Sequence, residues 1–199
     1  MRKGEATRQA ILDEAAEVAS RVGLQGLTIG PLAAQTQLSK SGLFAHFKSK
    51  ESLQLQVLEH ARSRFVDAVL RPALSAPRGE PRVRELFERW LGWGRGDVLE
   101  GGCVFTAAAA EFDDQPGPVR DRLVRDERDL AETVAQVFRT GIAEGHFRPD
   151  ADAEQFAQDL HGILLAYIHV GRLLRHPRAE ERARRAFEAL LTAARPATG

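Results

Sequence analysis

Lysine, serine and histidine crowd into residues 38–53, LSKSGLFAHFKSKESL, with no carboxylate before Glu51. Ammonium, hydroxyl and imidazole groups with no acid among them suit the holding of phosphates and the reading of base edges. The pattern extends backward: from Val18 to Lys50 stand Arg21, Lys40, Lys48 and Lys50, and no Asp or Glu. The formal net charge of zero conceals this local excess. A basic face inside a neutral protein is the charge footprint of a module that touches a polyanion. Gly42 costs about 1 kcal/mol of helix stability relative to alanine, which suits a backbone that must lie close against DNA.

Other groupings carry less chemistry. Cys103 is the only cysteine, so neither an intrachain disulfide, a four-thiolate zinc site nor a Cys-x-x-Cys pair can form. It follows Gly101-Gly102 at an apolar helix start and reads as a small hydrophobe rather than a nucleophile. Glu111 and Asp113-Asp114 stand next to Gln115-Pro116, where carboxylates end a helix in solvent. His161 and His169 are eight residues apart and His169 and His176 seven, neither the tight spacing of a zinc helix. The glycines of GWGRGD follow no strand pattern and so form no nucleotide loop. Catalysis, a metal and a cofactor are therefore not expected.

The elements that must position these residues read as helices throughout. Ile11, Ala15, Val18, Ala19 and Val22 keep the spacing of one helical face, and Gly23 stops that run. Thr28 stands at a cap before Ile29, Leu32 and Ala33, with Pro31 in the first turn. Gln37-Leu38-Ser39 is a short link, Ser39 can cap a short helix over 40–47, and Ser49 can cap a long one reaching about Leu70 before Pro72. Two helices joined by a short turn, the second short and basic at its borders, form a helix-turn-helix. On that second helix Leu43 and Phe47 point inward against Leu32 and Ile29, leaving Lys40, Ser41, Phe44 and His46 outside. Beyond the linker-like LSAPRGEP come five more apolar segments, over 83–93, 103–112, 119–144, 153–174 and 179–194, broken at Gly or Pro. The expected fold is all-α, about nine helices, with residues 1–48 as the helix-turn-helix domain and 49–199 as a larger helical domain.

The stretch TRQAILDEAAEVASRVGLQGLTIGPLAAQTQLSKSGLFAHFKSKESL resembles the DNA-binding domain of the TetR family of one-component transcriptional regulators. The resemblance rests on Ile11-Leu12, on Gly23 and Gly26 before Thr28, on Leu32-Ala33, on Leu38 to Phe44, and on His46-Phe47 with Ser49-Lys50-Glu51. It implies DNA contacts from Thr28, Ser39, Lys40, Ser41, Gly42, Phe44, His46 and Lys50. Two departures stand out: Phe44 lacks the hydroxyl of the tyrosine usual there, and Ile29-Gly30-Pro31 replaces a more polar helix start. Lys50 and Thr28 are placed for phosphates, and Lys40, Ser41 and His46 for base edges.

A single head reaches one half-site, so tight binding requires a homodimer. Phe156, Leu160, Leu164 and Ile168 on the penultimate helix and Phe187, Leu190 and Leu191 on the last supply apolar faces for a four-helix bundle with a second copy, as in the resembled family. Between head and bundle the aromatic residues Phe65, Trp90, Trp93, Phe105 and Phe112, with Cys103, His161 and Tyr167, either close-pack or line a cavity. The resemblance implies a cavity, open to a small apolar or aromatic effector that releases a repressor from its double-stranded DNA operator. The N-terminus shows no signal peptide and no apolar run reaches a membrane span, which points to the cytoplasm and no membrane partner. The alternative function is a helical dimeric scaffold or ligand-binding protein without sequence-specific DNA binding.

Overall fold

The computed structural model describes residues 3–36 and 38–197, and the side chains of Lys3 and Phe44 fall outside that description. Among the described residues there is no strand. The helices are α1 (Lys3–Gly26), α2 (Ile29–Gln35), α3 (Lys40–Phe47), α4 (Lys50–Phe65), α5 (Arg71–Ser75), α6 (Glu80–Arg95), α7 (Val104–Phe112), α8 (Pro118–Ala143), α9 (Ala153–Arg172) and α10 (Ala179–Ala194). A π-helical turn, Val66–Leu70, separates α4 from α5. Counted as one run from 50 to 75, these three pieces bring the total to the expected nine.

The π turn explains why the helix does not stop near Pro72. The Arg71 amide bonds to Val66 O, five residues back, and Pro72 then falls in the first turn of α5, where its missing N–H costs nothing. The chain divides into two compact units, residues 1–64 with 98–126, and residues 65–97 with 127–199.

The first unit holds α1 to α4, α7 and the start of α8. Its core is built from Ile11, Ala15, Ala19 and Leu24 of α1, Leu27 just after it, Leu32 of α2, Leu43 and Phe47 of α3, and Leu53 and Leu58 of α4, all nearly inaccessible to water. Gly23 has φ 80° and ψ 170°, so the helix does break there as its position in the sequence predicts. Val22 turns out to solvent, because the break carries the apolar stripe on through Leu24 and Leu27 instead.

In the second unit the core is aromatic. Phe87 stacks on Phe187 at 3.9 Å, and Phe138 stacks on Phe156 at 4.0 Å and on Phe147 at 4.4 Å. Gly141 leaves the space that Phe147 fills. Asp152 caps α9 by accepting the Gln155 N–H at 2.9 Å, satisfying one of the donors a helix start leaves open. Glu80 of α6 accepts from Arg195 at 2.6 and 2.9 Å, and Arg84 joins it to Glu188 of α10.

Candidate nucleic-acid interface

α3 is set by its caps and by two anchors. Ser39 Oγ accepts the Gly42 N–H at 3.0 Å and lies 3.0 Å from Ser41 Oγ, so the hydroxyl predicted to cap the helix does so. A Cβ on Gly42 would stand 3.2 Å from Ser39 Oγ, a close fit that gives the glycine an internal reason. Leu43 and Phe47 are buried, at 1% and 2% exposure, against a layer that includes Leu32. Ile29 is only half-buried.

With those side chains turned in, Ser39, Lys40 and Ser41 are exposed and His46 is half-buried. The Lys40 stem passes over Gly30, whose absent side chain leaves it room. Phe44, the remaining position of this group, has its side chain outside the described residues. Thr28 is exposed and extended, φ −120° and ψ 146°, and its side chain makes no capping bond to α2, which leaves the hydroxyl for an outside partner. Ser49 Oγ caps α4 by accepting the Ser52 N–H at 3.0 Å. Lys50 opens that helix with its Nζ 2.6 Å from Gln25 O.

The basic excess is smaller than the sequence alone implies, since Arg21 pairs with Glu100 at 2.6 Å. Lys40, Lys48 and Lys50 remain exposed. Glu111, read from the sequence as a carboxylate ending a helix in solvent, instead accepts the Leu24 and Gln25 N–H groups on one oxygen at 2.8 and 3.1 Å, and Gln54, which the sequence reading missed, donates to Leu24 O at 2.9 Å. A lone glutamate at a helix end and a glutamine inside a helix carry no sequence signal.

Of the eight residues read as lining an effector cavity, four meet in the second unit. Phe65 lies edge-on to Trp90 at 5.7 Å and to Trp93 at 5.2 Å, and Trp90 faces His161 at 5.5 Å. Trp90 and His161 also border a cleft of about 450 Å³ with Glu127, Leu130, Val134 and Ala157. Trp93 is buried, and among the described residues its indole N–H meets no acceptor. Tyr167 borders a different groove; burial holds its hydroxyl above the ordinary tyrosine range. Cys103, Phe105 and Phe112 belong to the first unit, Cys103 at the start of α7 and Phe112 buried near its end.

The residues read as a partner surface are placed differently from that reading. Phe156, Leu160, Leu164, Ile168, Phe187 and Leu191 are all buried within the chain, none more than 8% exposed. Packing against the aromatic core consumes that stripe. What α9 and α10 leave open is a groove of about 700 Å³ bordered by Gly162, Ile163, Ala166, Val170, Ala186 and Leu190. Leu190 is the one residue common to the expected and the open faces.

Among the described residues no group of three or more His, Cys, Asp or Glu is disposed to hold a metal ion, and no helix is long and apolar enough to cross a membrane.

A helix-turn-helix with an exposed basic recognition helix, followed by a longer run of helices, defines a class of bacterial regulators. Residues 11–57 match the family profile of bacterial regulatory proteins of the tetR family, and residues 79–187 match the tetracyclin repressor-like C-terminal domain. The chain belongs to the TetR family and is a DNA-binding transcriptional regulator. A TetR transcriptional regulator from Chloroflexus aurantiacus J-10-FL is similar over 96% of each chain, with 26% identity and a TM-score of 0.86. A TetR family regulator from Cytophaga hutchinsonii shares the fold at a TM-score of 0.85 and 19% identity, over 100% of this chain and 99% of that one. AibR, solved in complex with isovaleryl coenzyme A and operator DNA, shares it at a TM-score of 0.73 and 19% identity, over 96% of this chain and all of that one. No curated protein matches the chain.

Proposed function

We propose that the protein is a cytoplasmic, ligand-responsive repressor that binds a palindromic operator as a homodimer, without a cofactor. The observation that carries this reading is α3: buried Leu43 and Phe47 fix the helix, while Ser39, Lys40 and Ser41 stand exposed on it. A helix so anchored presents short polar and basic groups to a groove. In this reading residues 1–48 are the head and the remainder is the effector and dimer domain. Thr28, Lys50 and the backbone at Gly42 take phosphates or sugars. Lys40, Ser41 and His46 read base edges, with Phe44 completing the set.

The open groove on α9 and α10 supports the dimer. Its walls are small or apolar, and Asp159 and Arg182 both border it. In a two-fold interface the same patch meets itself, so an acid and a base on one patch can pair across the axis. Leu165, Leu173 and Leu174, exposed by 39%, 69% and 61%, extend the apolar surface of α9.

For the effector, the cleft beside Trp90 and His161 has the size of a small-molecule site, with Leu130, Val134, Ala135 and Ala157 as its apolar part and Glu127, Arg128, Glu132 and Glu154 as its charged part. AibR, with its acyl coenzyme A and operator, is a relative in fold that binds both kinds of partner, and this chain is read the same way. Release requires that the effector bind the non-DNA-binding arrangement more tightly.

The test is selection from a random duplex library with the purified protein, together with its mass in solution. The reading predicts an enriched inverted repeat and a dimer. A dimer that enriches no sequence supports a scaffold or ligand-binding protein instead, and a monomer without preference refutes the reading outright.

A further inference from the structure

We propose that Glu111 is a positioning residue for DNA binding, acting through the end of α1 beyond its Gly23 break on the phosphate-holding Lys50. This inference rests on the regulator reading given above.

The end of α1 beyond Gly23 is gripped from two helices at once. From α7, Glu111 takes the N–H groups of Leu24 and Gln25 on one oxygen, at 2.8 and 3.1 Å, and its backbone carbonyl accepts from Gln25 Nε2 at 3.2 Å. From α4, Gln54 donates to Leu24 O at 2.9 Å and Lys50 to Gln25 O at 2.6 Å. The Leu24–Gln25 peptide unit is thus held on its N–H side by α7 and on its C=O side by α4, and the next carbonyl along, Gln25 O, is held by α4 alone. Gly23 makes this possible: its φ of 80° turns the two amides toward the carboxylate, and any side chain there would collide with Glu111. The other end of α7 is tied to α1 as well, through Gly101 N–H to Ser20 Oγ at 3.0 Å and Glu100 N–H to Glu17 at 3.1 Å.

Lys50 stands at the end of this chain of bonds. Its ammonium is exposed and is steadied by Gln25 O, an oxygen one residue beyond the doubly held Leu24–Gln25 peptide unit. Charge-assisted bonds are short and directional, so a displacement of α7 of about 1 Å is enough to break the Glu111 pair. Loss of the pair leaves the Leu24–Gln25 unit held only through Gln54, and the Gln25 carbonyl attached to it no longer gives Lys50 a fixed rest. A movement of α7 is thereby felt at a phosphate contact through four named residues and no rearrangement of a core.

The experiment is a double-mutant cycle on the duplex enriched by the wild-type protein, using Glu111→Ala, Lys50→Ala and both together, with amide exchange at residues 24 and 25 measured on the free protein. Glu111→Ala is expected to accelerate exchange at both amides and to weaken duplex binding by about tenfold. In the Lys50→Ala background the same substitution is expected to cost less than about threefold, because residues that act in series do not add. Glu111→Gln, which keeps an acceptor oxygen, is expected to restore most of the affinity. Additive losses, or unchanged affinity despite faster exchange, overturn the proposal. A wild-type protein that enriches no duplex refutes the regulator reading and this role with it, whereas enrichment with additive losses refutes this role alone.

Discussion

Replacing Lys50 with alanine removes one ammonium from each head, two from a dimer on its operator. The side chain is exposed, and its partner Gln25 O is open to water once it is gone, so the fold loses less than about 1 kcal/mol. DNA binding loses more, and in a manner that reports mechanism. Each neutralised phosphate contributes about 0.9 to the slope of log affinity against log salt, so two lost contacts lower that slope by about 1.8. Between 50 and 200 mM salt, a fourfold change, the wild-type protein should therefore lose about twelvefold more affinity than the variant. Fluorescence anisotropy with a labelled duplex across that range measures both slopes. The loss should also be the same for matched and mismatched duplexes, since a phosphate contact carries no sequence information. An unchanged slope, or a loss that depends on base sequence, refutes the assignment of Lys50 to phosphate.

Ile163→Glu places a charge in the open groove of α9 and α10 without touching the chain's own core, and sedimentation should show monomers where the wild-type protein is dimeric, with operator affinity reduced at least about a hundredfold. The Glu80 carboxyl is held at about 2, well below its ordinary 4.5, first by its hydrogen bond to Arg195 and then by Arg84, with burial opposing both. Its ion pairs stabilise the fold above pH 4.5 and are lost as pH falls from there toward 2. Chemical denaturation should show Glu80→Gln about 1 kcal/mol less stable at pH 7 and the difference vanishing near pH 2, the pair's partial exposure keeping the figure small. Lys40→Ala, in contrast to Lys50→Ala, should relax the sequence preference at one position of each half-site by about 1–3 kcal/mol, measured by competition among single-base variants.

How much of this was legible in the sequence follows from how local each signal is. Ser39 and Ser49 declare themselves as caps because the bonded N–H lies three residues on, at Gly42 and Ser52. Leu43 and Phe47 are separated by one helical turn, so their shared inward face follows from periodicity. Gly23 signals a helix end for the same local reason. The Glu111 grip on Leu24 and Gln25 spans more than eighty residues of chain, and no periodicity carries it. The dimer face failed differently. On α9 the apolar residues surround the axis, so Phe156, Leu160 and Leu164 competed with Ile163, Ala166 and Val170 for the partner. The stripe in register with the aromatic core took the interior, where Phe156 stacks on Phe138, and Ile163, Ala166 and Val170 were left on the open groove. The cleft beside Trp90 was legible only in part: aromatic residues were evident, but that Trp90 meets His161 depends on the pairing of α6 with α9.

The central claim is that α3 lies in a major groove and that a second copy supplies another α3. Guanine N7 sits in that groove, and its methylation by dimethyl sulfate can be followed at each base of the selected duplex. Two protected patches centred about 10 base pairs or a multiple apart are predicted, both lost in a Lys40→Ala, Ser41→Ala, His46→Ala variant that stays folded. Full methylation at every guanine under saturating protein would contradict it.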